Sequence, residues 1–206
     1  MQNWRPDNLL PQFIDIRAIG PRTTNPFPGH KVVNTTSKSL TDWQVELSPF
    51  FLGPCSAPDG AVAKRLENLW QFSKVYPQHA DADGNPTTAW FEWRAQGFAD
   101  GKAHRYPIGK GKKPLYSWWG GEKLGYIDAR KRIYVPIYAE LVAKTAAYQK
   151  LKAMRQTQPI ALFDFDAYDY VGQGIPFDVA LNNPKKILGH GIVLCAMLRG
   201  DYPEPV

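Results

Sequence analysis

Cysteine is scarce, with only Cys55 and Cys195 in 206 residues. Two cysteines far apart form neither a disulfide framework nor a paired thiolate metal site, and they suit a reducing compartment. Long apolar runs are missing too. The longest, Ile192 to Leu198, has seven residues, whereas a membrane-spanning helix needs about 20. The opening residues, MQNWRPDN, lack the apolar core of a secretory signal. These absences predict a cytoplasmic protein with no membrane partner. The four histidines, His30, His79, His104 and His190, do not have metal-site spacing, and no metal site is expected. No GxSxG nucleophile elbow occurs, and no GKS or GKT follows the spacing of a phosphate-binding P-loop. No internal repeat or low-complexity tract is present.

The chain does contain ample apolar residues, at 44%, and seven tryptophans. Indoles build cores, and they also build walls for flat ligands. Eighteen prolines and seventeen glycines predict many turns and exclude a long-helix bundle. The net charge of +6 suits an anionic partner such as a nucleotide or nucleic acid.

Alternation predicts strands at 13–16, 31–36 and 43–47, making 1–52 a mostly β segment. A loop at 53–60 precedes a helix over about 61–76, stopped by Pro77. Trp90 to Trp93 fit strand or helix. Helices are expected over about 122–134 and 136–154, and a buried strand at 159–166. A last helix is predicted with Asn183 as cap, Pro184 in the first turn and Gly200 closing it. The fold class is therefore α+β: one compact domain over 46–206 with a helical body and few strands, and an N-terminal extension over 1–45 packed on it.

Four segments carry candidate chemistry. In RLENLWQFSK, a helix would align Glu67, Trp70, Gln71 and Lys74 beside the apolar stripe of Leu66, Leu69 and Phe72. The polar line is either a surface helix face or the floor of a cleft, where burial or Lys74 would set the Glu67 carboxyl. From Arg105 to Lys113, four basic residues, Arg105, Lys110, Lys112 and Lys113, surround Gly109 and Gly111. Such a loop either cradles phosphate or stays solvated. Asp164 and Asp166, spaced to point one way from a strand, suit a metal-dependent transferase, a pocket acid or a polar turn. Gly189-His190-Gly191 reads as a buried structural histidine in preference to a catalytic one, between glycines that approach another backbone.

Taken in order, these segments resemble the NADAR/YbiA-like family of compact N-glycosidases. The resemblance covers about 46–200. It rests on Glu67, Trp70, Gln71 and Lys74; on Gly109, Lys113-Pro114-Leu115 and Trp119; on Leu162-Phe163-Asp164 with Asp166-Ala167-Tyr168 and Gly172; and on Leu188-Gly189. The chain departs from the family at Pro49, where Asn stands, at Asp169, which precedes the aromatic Tyr170, and in lacking Asn before the final Leu-Gly.

The resemblance implies a hydrolase that cleaves a ribosyl C–N bond in a nucleotide-type or ADP-ribosylated nucleic-acid substrate, without a cofactor. Glu67 would be acid/base or nucleophile, Asp166 the second carboxylate, and Lys74 the residue that orients Glu67 or holds phosphate. Trp70, Gln71, Arg105, Gly109, Lys110, Lys113, Trp119, Asp164, Asp169 and Tyr170 would contact substrate. The alternatives are a non-catalytic nucleotide or nucleic-acid binder using the same cleft, and the metal-dependent transferase built on Asp164 and Asp166.

Overall fold

In the computed structural model, which describes residues 14–22, 27–203 and 205, two short strands come first, Ile16–Ile19 (β1) and Lys31–Asn34 (β2). A one-turn helix follows, Asp42–Val45 (α1), then the ribbon of Cys55–Ser56 (β3) and Val62–Ala63 (β4). The helix Leu66–Phe72 (α2) leads into Lys74–Val75 (β5) and the helix Thr88–Ala99 (α3). Tyr116–Trp119 (β6) and Glu122–Leu124 (β7) form a hairpin. Its two-residue turn is Gly120-Gly121, both with positive φ, which glycine adopts at no steric cost. The helix Tyr126–Ala129 (α4) continues through a π-helical turn at Arg130–Tyr134 into Val135–Ala143 (α5), and Ala146–Met154 (α6) follows. Ile160–Phe163 (β8), Phe177–Leu181 (α7) and His190–Arg199 (α8) complete the order. The class is α+β.

The main sheet has the order β1-β8-β2 with both pairings parallel. Residues 16–34, within the stretch expected as an extension, thus supply both partners of β8. Every residue from His190 to Leu198 of α8 is buried, which suits a helix apolar on all sides and enclosed by the sheet and α5. Among the described residues no helix is long and apolar enough to cross a membrane.

Several elements differ from the sequence expectation. Residues 43–47 were expected as a strand, but 42–45 are helical. Gln44, Leu47 and Ser48 are the buried positions there, a helical spacing that the alternation of apolar letters concealed. The Gln44 amide oxygen accepts from the Asn34 N–H at 2.9 Å and the Ser39 hydroxyl at 3.0 Å. The helix expected over 61–76 shrinks to 66–72 because the residues on either side pair as β4 and β5. Residues 122–124 are strand, not helix. The helix expected over 136–154 breaks at Thr145, whose hydroxyl accepts from the Tyr148 N–H at 3.1 Å and caps α6. Trp90 to Trp93 resolve as helix, capped by Thr87. The expected strand at 13–16 lies partly outside the described residues, and β1 begins at Ile16.

The last helix starts six residues later than Pro184. Arg130 explains the delay. Its guanidinium donates to the carbonyls of Leu181, Asn183 and Lys186 at 3.0, 3.2 and 2.8 Å. These bonds hold 182–186 as turns ahead of the helix. Gly200 closes α8 in the left-handed conformation, as expected.

Candidate active site

The parallel strands β2 and β8 end side by side, and their continuations, 36–38 and 164–166, border a cavity of about 560 Å³. Ligand sites in sheets of this kind lie beyond the carboxyl ends of the strands, and the volume is that of a small-molecule site. The N-terminus of α8 and one face of α2 close the cavity.

Helix α2 brings the key carboxylate. Its first N–H groups are satisfied by loop carbonyls rather than a capping side chain, with Leu66 donating to Leu52 at 2.8 Å and Glu67 to Pro49 at 3.0 Å. Glu67 is 5% exposed. The Lys74 ammonium donates to the Gln71 carbonyl oxygen at 2.7 Å, and the Gln71 amide nitrogen donates to Glu67 Oε1 at 2.8 Å. Because an ammonium can only donate, Lys74 fixes which end of the Gln71 amide faces Glu67. The second oxygen of Glu67 has no donor among the described residues and opens onto the cavity. Burial pushes the Glu67 carboxyl above its ordinary range, against the pull of the Gln71 hydrogen bond and the charges of Lys74, Arg105 and His190. Burial likewise lowers Lys74 to about 8, opposed by Glu67.

The next residue, Asn68, anchors the opposite wall. Its amide donates to the carbonyls of Asp100 and Lys102 at 3.1 and 2.8 Å and accepts from the His104 N–H at 2.8 Å. This pins the loop that delivers Arg105, which meets Asp166 at 2.5 Å. Burial raises the Asp166 carboxyl and the neighbouring Arg105 draws it back.

Asp164 is spent on structure. It accepts from the Gly191 N–H at 3.0 Å and the Asp166 N–H at 3.3 Å, and it lies 3.3 Å from His190 Nδ1. A carboxylate at the N-terminus of α8 compensates the helix dipole. The glycines flanking His190 are required here, since a Cβ at Gly189 would strike the Asp164 carboxylate and one at Gly191 its Cβ. His190 Nε2 lies 2.8 Å from the Thr35 carbonyl, which can only accept, so this nitrogen carries a hydrogen. The histidine thus ties β2 to α8.

Seven of the residues singled out by sequence converge on the cavity: Glu67, Trp70, Gln71, Lys74, Arg105, Asp164 and Asp166. Trp70 is not an open stacking platform, because Lys74 lies 4.6 Å over its ring and Tyr134 packs 5.2 Å from it. Six residues do not line the cavity. Trp119 is buried in the core, where strand alternation turns it inward with Ser117. Gly109, Lys110 and Lys113 lie on an exposed loop. Asp169 faces Arg17 at 3.3 Å and accepts from the Gly172 N–H at 2.9 Å. Tyr170 is buried, with its hydroxyl 3.4 Å from Asp201.

Sequence reasoning missed Tyr134, Tyr106, Tyr126 and Phe165. The last three are exposed at the cavity, and each has a cation over its ring: Arg105 at 5.3 Å, Arg130 at 4.5 Å and Lys38 at 5.8 Å. The one available signal was the Tyr134–Tyr138 spacing, which puts both phenols on one helix face.

The chain belongs to DUF6939, a family of unknown function. The match spans residues 18–173. No curated protein and no solved structure matches the chain. The DUF6939 span holds Glu67, Lys74, Arg105 and Asp166, and it ends before α8, whose His190 closes the cavity.

Proposed function

We propose that the protein is an N-glycosidase-like hydrolase, akin to the NADAR/YbiA-like enzymes, that cleaves a ribosyl C–N bond in a nucleotide-type or ADP-ribosylated nucleic-acid substrate. One observation carries this reading. Glu67 is buried, one of its oxygens is held by Gln71, and the other is open to a cavity that also presents Arg105, Asp166 and Lys74.

Breaking the bond leaves positive charge on the sugar. A carboxylate stabilises that charge and takes a proton from attacking water. Two unit charges 4 Å apart gain about 1 kcal/mol in water but about 4 kcal/mol at an effective dielectric of 20. The buried setting of Glu67 therefore favours the transition state over free substrate. Its raised proton affinity makes it a better base than an exposed glutamate. Lys74 holds the Gln71–Glu67 chain in register, and Arg105 with Lys38 supplies charge for a phosphate at the mouth. The metal-dependent transferase reading is disfavoured because both oxygens of Asp164 are engaged by backbone N–H groups. The two cysteines are buried and free, and burial pushes both thiols up to about 12, which fits a cytoplasmic setting.

The test is release of free base from a panel of ribonucleotides, NAD and ADP-ribosylated oligonucleotides. Glu67→Gln is expected to fold and to lose about 10²–10⁴-fold in turnover. Full activity in that variant, or no base release by the native protein, would refute the proposal.

A further inference from the structure

Tyr134 ends the π-helical turn and is 8% exposed. π turns inside α-helices recur at functional sites. Its ring packs tilted on Trp70 at 5.2 Å and stacked on Tyr138 at 6.3 Å, so neighbours on both sides fix the hydroxyl's direction. The two phenols differ in one respect. The Tyr138 hydroxyl donates to the Leu47 carbonyl at 2.8 Å. The Tyr134 hydroxyl has no hydrogen-bond partner among the described residues, and it is not sealed off but borders the cavity. A phenol fixed between two rings, with its hydroxyl free at the wall of a small-molecule-sized cavity, is placed to meet a ligand.

The surroundings define what that ligand group must be. Burial, with Glu67, Asp164 and Asp166 acting in the same sense, holds the phenol well above its ordinary range, so its O–H stays available as a donor. Beside it, Glu67 Oε2 and the Asp166 oxygen not held by Arg105 are acceptors without a donor among the described residues. An alcohol does both through a single oxygen, accepting from Tyr134 and donating to a carboxylate. A phosphate only accepts, and three carboxylates would repel it. A carbonyl only accepts, and an ammonium only donates.

We infer that Tyr134 touches substrate and reads the sugar hydroxyl next to the scissile C–N bond, so that the cavity selects ribosyl over 2′-deoxyribosyl substrates. This rests on the glycosidase reading and names the sugar it acts on. Hydrogen bonds to that hydroxyl strengthen as the sugar becomes cationic, and an analogue lacking it leaves buried polar groups unpaired.

The probes are two matched pairs, adenosine and 2′-deoxyadenosine 5′-phosphate, and NAD and its counterpart with 2-deoxyribose on the nicotinamide. The native protein is expected to favour the ribosyl member by about 100-fold or more in kcat/KM. Tyr134→Phe keeps the ring stack and is expected to melt like the native protein. It should lose about tenfold or more on the ribosyl member and little on the deoxyribosyl member. Tyr138→Phe is the control. It should lower stability by losing the bond to Leu47 and leave the ribosyl preference unchanged. Equal turnover of both sugars, or an unchanged preference in Tyr134→Phe, would overturn the Tyr134 inference and leave the Glu67 proposal standing. Failure to cleave either pair would overturn the Tyr134 inference, and failure on the ADP-ribosylated oligonucleotides as well would overturn both.

Discussion

Glu67→Gln should make the protein more stable while removing its activity. The net effect of its surroundings raises the Glu67 carboxyl above its reference value of 4.5, so burial outweighs every attraction to Gln71, Lys74, Arg105 and His190. The sign follows from proton counts. Between 4.5 and the raised folded value, the native state binds more protons than the unfolded chain. Stability therefore falls as pH rises through that window. Each unit of upward shift costs about 1.4 kcal/mol once the pH exceeds the folded value. Glutamine is nearly isosteric, its carbonyl accepts the same Gln71 hydrogen bond, and it carries no charge. A neutral side chain of the same shape avoids that ionisation cost, and the cost exceeds the attraction to Lys74 because the net shift of Glu67 is upward. In a chain of this size the gain raises Tm by about 2–4 °C per kcal/mol. Thermal melts of both proteins between pH 4 and 8 are the assay. The gain should be near zero below about 4.5 and largest near neutrality. A variant less stable than the native protein at pH 7, or a gain that does not depend on pH, would refute the view of Glu67 as a desolvated carboxylate.

Lys74 should set the alkaline limit of turnover on whichever substrate is cleaved. Its ammonium loses its proton at about 8, so the pH–rate profile should fall above that value. In Lys74→Arg the cation persists and the limb should move up; an unmoved limb assigns the fall elsewhere. Asp164→Ala should destabilise by about 2–4 kcal/mol in urea titration, because the Gly191 and Asp166 N–H groups lose a charged acceptor. A cost under about 0.5 kcal/mol, the range of an ordinary surface substitution, would show that Asp164 does not hold α8 in place.

The line Glu67, Trp70, Gln71 and Lys74 was legible because side chains three and four apart share a helix face whatever the rest of the chain does. The same holds for the glycines around His190, whose missing side chains announced a close approach, and for Gly200 ending α8. Alternation misled at 43–47, where the buried residues are Gln44 and Leu47, followed by Ser48. A buried glutamine does not register as apolar. The shortened α2 and the late start of α8 were invisible for another reason. Strand pairing of 62–63 with 55–56 and the grip of Arg130 on the 181–186 carbonyls are contacts between distant segments.

Local spacing thus settled which chemical groups share a face, since backbone periodicity is a property of a few neighbouring residues. Tertiary structure alone decided which faces meet. It put Tyr134 beside Glu67, brought Arg105 to Asp166 through Asn68, and turned Trp119 into the core. It also decided protonation. Whether a carboxyl is an exposed anion or a desolvated base depends on how much water and how many cations surround it, and residues from across the fold determine both.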